Sequence, residues 1–340
     1  MEGVRVGIVG ATGMVGRTLL EVLEDRRFPV GELRPMATER SAGRRVRFRG
    51  EELEVEEALP ERFDGLDLVF IAAGDAASRE LAPEAVRRGA VVVDKSNAFR
   101  MSDGVPLVVP EVNPEAVADH QGILASPNCS TIQLVVALAP LIREAGVERV
   151  WVSTYQSVSG TGQQAVEELE QEVRAWQSGR QPERSPSSPY LHPIAFNLLP
   201  HCDRPEEGGF TREEMKLLRE SRKILGLPGL RLSATAVRVP VFVGHGESVV
   251  FQPSRPLSAD EARALLAEAA GIRLADAVEA GEYPTPLQAA GRDEVWVGRI
   301  RPDLALEGAL DLWIVADNLR KGAATNAVQI AELLLERGQL

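Results

Sequence analysis

A cysteine at position 129 has the residue type and the setting that most directly suggest covalent chemistry. It lies within residues 125–134, where Pro127 fits a strand or loop exit and Ser130 and Thr131 suit the first turn of a helix. At a helix N-terminus, backbone N–H groups and the helix dipole stabilise a thiolate, which is a strong nucleophile. Two interpretations of Cys129 stay open on this stretch alone: a catalytic nucleophile or a buried structural cysteine.

A histidine between two glycines, His245, is the best-placed candidate for proton transfer. Residues 244–246 read as a turn between a predicted strand at 232–243 and another at 247–252. A histidine in such a turn is expected to be accessible and to titrate near neutrality, which suits a general acid or base. The alternative is a plain hairpin turn with no chemical role.

Three charged residues further along the chain could bind a charged substrate. Arg238 alternates with valines in the predicted strand, so it needs an anionic partner if it is buried. Glu213 and Lys216 are three residues apart on a predicted helix, which places them on one face. That helix begins with a capping-box pattern formed by Thr211 and Glu214. The pair at 213 and 216 is either functional or an ordinary surface ion pair.

A glycine-rich turn near the N-terminus predicts nucleotide binding. Residues 4–10 read as a buried strand, residues 10–16 have the pattern G-x-x-G-x-x-G, and residues 17–23 have helical spacing. Strand, glycine turn and helix in this order are typical of a dinucleotide-binding fingerprint, in which a pyrophosphate meets the helix N-terminus. The spacing differs from G-x-G-x-x-G, and a simple strand–turn–helix is the alternative.

The end of the second predicted strand carries groups that choose between NAD and NADP. An acidic residue at this position binds a ribose 2′-hydroxyl, whereas a nearby arginine suits a 2′-phosphate. Both types occur here, as Glu39 and Arg40, and Thr38 and Ser41 add further donors. These donors favour NADP over NAD. The alternative is a solvated basic loop that leads into the arginines of residues 44–49.

Short apolar segments alternating with helical patterns predict the fold class. Segments 66–73, 90–94, 108–113 and 122–125 read as buried strands with a helix among them. Such alternation implies an α/β fold with a doubly wound, mostly parallel Rossmann-type sheet. Ligands bind at the carboxyl ends of these strands, where Arg100 could hold an anion or be a surface residue.

Composition narrows the class of partner. With 340 residues, two domains are expected, and the net charge of −12 argues against nucleic acid as the main partner. We find no apolar run long enough for a membrane span and expect no signal peptide, which indicates a cytoplasmic protein. A disulfide between Cys129 and Cys202 is therefore not expected, and no Cys/His spacing predicts a metal site.

Taken together, these motifs resemble aspartate-β-semialdehyde dehydrogenase. The matching segments are G-A-T-G-M-V-G at 10–16, S-N-A-F-R at 96–100, P-N-C-S-T at 127–131, Q-S-V-S-G at 156–160, E-E-M-K at 213–216, R-V-P-V-F-V-G-H at 238–245 and D-N-L-R-K-G-A-A at 317–324. They span nearly the whole chain in the family's order, and their combination is specific.

The resemblance implies an architecture and a reaction. It implies an NADP-binding domain at 1–128, an α+β catalytic and dimerisation domain at 129–316, and a C-terminal helix at 317–340 that returns to the first domain. The implied partners are aspartate semialdehyde or aspartyl phosphate, inorganic phosphate, NADP and a second copy of the chain. The reaction is the reversible reductive dephosphorylation of L-aspartyl-4-phosphate to the semialdehyde through a cysteine thioester. It belongs to the biosynthesis of lysine, threonine, methionine and isoleucine.

The resemblance also assigns roles. Cys129 would be the nucleophile, His245 the acid/base and Gln156 the residue that orients the acyl group. The implied cofactor-binding residues are Gly10, Thr12, Gly13, Met14, Val15, Thr38, Arg40, Ser41, Gly74, Ser159, Gly160 and Asn318. The implied substrate-binding residues are Arg100, Asn128, Gln156, Glu213, Lys216 and Arg238. Arg238 would hold the α-carboxylate and Glu213 the α-amino group. Arg100 and Lys216 would bind phosphate.

Two other functions compete with this one. N-acetyl-glutamyl-phosphate reductase runs the same chemistry on an N-acylated substrate, but it has no need of a carboxylate such as Glu213 for an ammonium group. A non-catalytic NADP-binding homologue is the second alternative. The joint presence of Cys129, Arg238 and His245 argues against that alternative.

Overall fold

The structure is a computed structural model that describes residues 3–340. The chain forms two compact units, one of residues 3–128 with Gly322–Leu340 and one of Cys129–Lys321. None of the helices in the described part combines the length and the apolar character that a membrane crossing requires.

The regular elements are numbered in chain order. The strands are β1 (Val4–Val9), β2 (Val30–Ala37), β3 (Arg45–Phe48), β4 (Glu51–Glu54), β5 (Glu56–Glu57), β6 (Leu68–Ile71), β7 (Val91–Asp94), β8 (Ile123–Ala125), β9 (Arg149–Gln156), β10 (Arg231–Arg238), β11 (His245–Gln252), β12 (Ile272–Leu274), β13 (Val295–Pro302) and β14 (Leu310–Ala316). The helices are α1 (Met14–Asp25), α2 (Asp75–Arg87), α3 (Cys129–Ala145), α4 (Gln163–Gln177), α5 (Arg212–Ile224), α6 (Ala259–Ala267), α7 (Pro286–Ala289) and α8 (Thr325–Glu336).

The first unit is built on a parallel sheet with strand order β5-β2-β1-β6-β7-β8. Apolar residues of α1 and α8, among them Leu19 and Val328, pack on one face of this sheet. Residues of α2, such as Leu81, pack on the other face. This is the predicted doubly wound arrangement, and the C-terminal helix belongs to this unit as expected.

The second unit is built on a mixed sheet with strand order β10-β9-β11-β14-β13-β12. Helices α3, α5 and α6 lie against one face. Along β9, Val150, Val152 and Thr154 are buried, whereas Trp151 and Tyr155, on the opposite face, are exposed. The period of two therefore separates a helix-covered face from an aromatic face that is partly exposed, with Trp313 on it bonded to the Pro284 carbonyl.

Two predicted strands are wrong in part. In the segment 108–113, Val108 still bonds to the Ala125 carbonyl at the end of β8, but the chain then turns and forms no regular strand. The Asn113 side chain bonds the Val109 N–H and the Leu107 carbonyl and so closes this turn. The strand predicted at 232–243 ends at Arg238, since Pro240 has no N–H to donate. The hairpin β3–β4 and the short strand β12 were not predicted.

Candidate active site

Helix α3 begins at Cys129, as the sequence predicts. The residues behind it, including Ile132, Leu134 and Leu138, are buried and fix the helix against its unit. Cys129 itself is partly exposed, so its sulfur lies at the accessible end of a buried helix. This is the setting in which a helix N-terminus favours a thiolate.

His245 is the first residue of β11 and is fully buried on the helix-covered face of the sheet. The Ser157 backbone N–H donates to its Nδ1 at 3.0 Å. Because Nδ1 accepts that bond, the proton of a neutral imidazole is placed on Nε2. Within the described residues Nε2 has no hydrogen-bond partner, which leaves its N–H for a ligand.

The expectation that His245 is accessible and titrates near neutrality is wrong. Burial and the nearby Arg238 guanidinium lower the pKa of His245 to about 3, and Glu213 only partly opposes them. The reason is register: Gly246 pairs with Tyr155 inside the sheet, so His245 is part of the strand and not of the turn. The resting side chain is a neutral N–H donor at physiological pH. Its acid/base role stays a prediction.

Arg238 and His245 meet at Gly160. A Cβ added to Gly160 would lie 3.0 Å from Arg238 Nη1 and 3.1 Å from His245 Nε2. The absence of a side chain at Gly160 therefore keeps two polar groups open to the same space. The cofactor contact of Gly160 stays a prediction. In the structure, residue 160 has to lack a side chain for Arg238 and His245 to keep their positions.

Arg238 ends β10 with its side chain 6% exposed. Its Nη1 donates to the Ser157 carbonyl at 2.8 Å, and in the part of the chain that the structure describes its Nε has no partner. A buried guanidinium with a remaining donor is a site for a carboxylate.

Glu213 and Lys216 form a buried ion pair and not a surface one. Lys216 Nζ lies 2.9 Å from Glu213 Oε2, and the two side chains are 15% and 8% exposed. The Gln156 amide donates to Glu213 Oε1 at 3.0 Å, which joins three predicted substrate residues in one network. Asp203 also binds Lys216, at 2.7 Å. Burial disfavours the charged ammonium, but the two carboxylates outweigh burial and raise the pKa of Lys216.

Asn318 holds the loop of Ser157, Ser159 and Gly160 in place by hydrogen bonds. Its Oδ1 accepts from Ser157 Oγ at 3.0 Å and from the Gly244 N–H at 2.9 Å. Its Nδ2 donates to Ser159 Oγ at 3.0 Å. Residue 318 thus fixes the loop beside His245, and its predicted contact with the nicotinamide stays a prediction.

Cys202 lies close enough to several charged groups of the site to be affected by them. The charges that act on it include Arg238, Glu213 and Cys129, which places the two cysteines in one region of the second unit. Burial is the main cause that raises the pKa of the Cys202 thiol to about 12. Neither cysteine is part of a disulfide in residues 3–340. Cys202 is therefore a protonated, unreactive neighbour of Cys129.

The glycine turn of the first unit has the shape that a dinucleotide requires. Gly10 has a φ of +87°, and a Cβ there would lie 2.5 Å from the Ala72 carbonyl oxygen. A Cβ at Gly16 would collide with the Gly10 carbonyl. Helix α1 therefore starts close against β1, and the backbone N–H groups of its first turn, at Met14 and Val15, face a possible pyrophosphate.

The remaining cofactor candidates surround this turn at the carboxyl ends of neighbouring strands. Thr12 and Gly13 are partly or fully exposed within it. Thr38 and Arg40 are exposed just after β2, where residues 39–41 form a short 3₁₀ turn that contains Ser41. Gly74 precedes α2 after β6. The glycine turn and the polar residues at these strand ends therefore fit the binding of a nicotinamide dinucleotide.

Arg100 and Asn128 belong to the first unit, and both are buried. Arg100 donates to the carbonyls of Lys95 and Ser126, at 2.9 and 3.0 Å. It ties the loop after β7 to the exit of β8, so it is not the surface arginine of the alternative interpretation. Its predicted phosphate contact stays a prediction.

A fully buried carboxyl, Glu247, lies two residues after His245 on the same face of β11. Burial raises its pKa well above the ordinary value of 4.5, and Gln133 partly opposes the shift. The sequence places Glu247 at the start of the strand predicted at 247–252, but it does not show that the carboxyl is buried, because burial depends on residues distant in sequence.

We expect Glu247→Gln to stabilise the protein increasingly as pH rises. In the unfolded wild type Glu247 ionises near its ordinary pKa of 4.5, whereas in the folded protein it stays protonated to a higher pH. The free energy of unfolding of the wild type therefore falls as pH rises above about 4.5, until the folded carboxyl ionises too. The amide cannot ionise and lacks this loss. Melting temperatures from about pH 4.5 to about pH 8.5 should diverge by several degrees in favour of the variant. The exposed Glu336→Gln is the control, and a constant difference across this range would contradict the expectation.

The fold and the site define the class of protein: an NAD(P)-binding dehydrogenase that acts on a semialdehyde. Residues 5–120 match the family model of the semialdehyde dehydrogenase NAD binding domain, and residues 138–321 match that of the semialdehyde dehydrogenase dimerisation domain. More narrowly, the chain belongs to the aspartate-semialdehyde dehydrogenase family.

Full-length relatives support this assignment. The aspartate-semialdehyde dehydrogenase of Aquifex aeolicus is 52% identical over 99% of both chains. A crystal structure of aspartate semialdehyde dehydrogenase II from Vibrio cholerae, complexed with ASA, is 43% identical, covers 99% of both chains and has a TM-score of 0.94. The Candida albicans enzyme with NADP is 25% identical, has a TM-score of 0.75 and covers 99% of this chain and 100% of its own.

Proposed function

We propose that this enzyme catalyses the NADP-dependent, reversible conversion of L-aspartyl-4-phosphate to L-aspartate 4-semialdehyde and phosphate. The observation that carries the proposal is the buried cluster of Gln156, Glu213, Arg238 and His245 in the unit that begins with Cys129. It offers a cation for a carboxylate, a carboxylate for an ammonium and an N–H for a developing oxyanion. The reaction would supply lysine, threonine, methionine and isoleucine biosynthesis in the cytoplasm.

The two units divide the work in this proposal. The first unit, with the fingerprint and the matched NAD binding domain, binds the cofactor. The second unit carries the catalytic cluster and the matched dimerisation domain. When bound, the cofactor supplies or accepts the hydride.

Cys129 performs the covalent step. Attack of its sulfur on the acyl carbon forms a C–S bond and breaks the acyl C–O bond, and phosphate leaves with the electron pair. Hydride addition to the thioester carbon then places negative charge on the oxygen. Collapse restores the carbonyl and expels the Cys129 thiolate, so the semialdehyde is released and the enzyme is regenerated.

His245 stabilises the oxygen that becomes negative in these steps. Its Nε2–H is the donor that the Ser157 bond to Nδ1 fixes, and a buried donor aimed at an oxyanion is strongest where water is excluded. Proton transfer through His245 would instead need a charged imidazolium, which the pKa of about 3 disfavours before substrate binds. Binding of an anionic substrate beside Arg238 would favour that charged form.

The substrate's charges are divided among the cluster. Arg238 holds the α-carboxylate with its planar fork, and Glu213 faces the ammonium group. Lys216 and Arg100 take the phosphate, and Gln156 and Asn128 orient the acyl group. An N-acylated substrate has no ammonium group for Glu213 to bind, so a requirement of the reaction for Glu213 distinguishes the two substrates.

The direct test is phosphate-dependent reduction of NADP with aspartate semialdehyde as substrate. We expect turnover only when semialdehyde, phosphate and NADP are all present, and little turnover with N-acetylglutamate semialdehyde. A preference for the acylated substrate, or no turnover with either, would contradict the proposal.

We expect NADP to have a higher kcat/KM than NAD. The exposed Arg40 and the adjacent Thr38 and Ser41 follow β2, where a 2′-phosphate would lie, although Glu39 is also exposed there. Replacing Arg40 and Ser41 by Ala should raise the KM for NADP by about 10-fold or more, since a charge-assisted bond contributes about 1.5–3 kcal/mol.

The matched control for the cofactor pocket is NAD. Its KM should change little in the same double variant, because it has no 2′-phosphate. A native preference for NAD would show that Glu39 governs the pocket.

The same proposal includes a homodimer. Trp151 and Tyr155, 39% and 37% exposed, lie on the aromatic face of the second unit's sheet, and Tyr155 packs against Trp313. A large exposed aromatic face marks an interaction surface, and the matched dimerisation domain indicates a second copy. Sedimentation of Trp151→Glu as a monomer and of wild type as a dimer would support it, and an unchanged dimer would contradict it.

A further inference from the structure

An acidic residue outside the predicted site, Asp203, shares the ammonium group of Lys216. Lys216 Nζ lies 2.7 Å from Asp203 Oδ2 and 2.9 Å from Glu213 Oε2. The Asp203 side chain is 29% exposed and the Glu213 side chain 8%. One ammonium is therefore paired with two carboxylates, which leaves the group of three with a net charge of −1.

The backbone conformation of Asp203 helps to hold its carboxylate beside Lys216. Its φ is +66°, in the left-handed region that few residues other than glycine, Asn and Asp occupy. The Asp203 Oδ1 accepts the Arg204 N–H at 2.8 Å, which holds the carboxylate over its own loop. Asp203 and Arg238 both line a cavity of about 740 Å³, so the two residues border the same space.

A net negative charge acts with opposite sign on the two substrates. It attracts the ammonium group of aspartate semialdehyde toward Glu213, and it repels a phosphate dianion that approaches Lys216. A carboxylate that only fixed the Lys216 side chain would have no such opposite effects.

We propose that Asp203 is a specificity-determining residue that sets the balance between binding of the substrate's ammonium group and binding of phosphate. This inference rests on the proposed function, because it assigns Glu213 to the ammonium and Lys216 to phosphate. Asp203 contacts neither substrate directly in this account; it acts through the charge that it adds beside Lys216.

The test is Asp203→Asn, assayed for the KM of each substrate. Asn accepts the left-handed backbone and retains an oxygen for Lys216, so the variant removes the charge with little change of shape. We expect the KM for aspartate semialdehyde to rise and the KM for phosphate to fall, each by about three- to tenfold at low ionic strength. Added salt should shrink both changes.

Asp203→Glu is the matched control, because it keeps the charge, and both KM values should stay closer to wild type. Succinic semialdehyde, which lacks the amino group, should show no rise in KM with Asp203→Asn. KM values that rise together in Asp203→Asn, or a Glu variant that behaves like the Asn variant, would overturn the inference alone. A wild type without phosphate-dependent activity would overturn the proposed function and this inference with it.

Discussion

Cys129→Ala should lower kcat by on the order of 10⁴-fold or more, because no other group in the described cluster can form the thioester. Cys129→Ser should be almost as inactive, since a hydroxyl at neutral pH is a far weaker nucleophile than a thiolate at a helix N-terminus. Fluorescence titration should show unchanged NADP affinity in both variants, because Cys129 is not among the residues that are predicted to bind the cofactor.

The matched control is the other cysteine. Cys202 is buried, and its raised pKa keeps it a thiol, so Cys202→Ala should retain nearly full activity. Activity in Cys129→Ala comparable with wild type would end the thioester mechanism. An inactive but folded Cys202→Ala would show that the wrong cysteine has been assigned.

The second large effect is expected at His245. Removal of one donor to an oxyanion typically lowers kcat by about 10²–10³-fold, and we expect this loss for His245→Ala. His245→Gln can still present an N–H from its amide toward the space that Gly160 leaves open. We expect the Gln variant to keep at least about ten times the kcat of the Ala variant, because in this account His245 acts by donating a hydrogen bond and not by transferring a proton.

The pH profile gives an independent measure of the same property. With a pKa of about 3 in the free enzyme, His245 is neutral from about pH 5 to about pH 8, so it should add no limb to the pH profile of kcat/KM, which reports the free enzyme. Two results together would show that His245 transfers a proton instead: equal kcat values in the Ala and Gln variants, and a change of the wild-type rate near neutral pH that both variants lack.

Local patterns were enough to predict several parts of the structure. The start of α3 at Cys129, the capping box at Thr211 and the fingerprint turn at 10–16 each depend on neighbouring residues, which the sequence displays directly. The parallel sheet followed from the alternation of short strands and helices, and the family motifs added the second unit.

Properties set by distant contacts were not predictable. The burial of His245 depends on the register of β11 against β9 and β14, which glycines on both sides concealed. Asp203 meets Lys216 across 13 residues of sequence, through a left-handed residue with no local signature. The end of β10 at Arg238, by contrast, has a local signal in Pro240, which the strand predicted at 232–243 did not take into account.

The most direct measurement of the central claim is a single-turnover experiment without phosphate. Enzyme mixed with aspartate semialdehyde and NADP should produce a burst of one NADPH per active site and then stop, since the thioester has no acceptor. Mass spectrometry of the digested protein should find one aspartyl group on the Cys129 peptide, and added phosphate should release it and restore turnover. Steady NADPH formation that needs no phosphate, or a burst with no adduct on Cys129, would contradict the account.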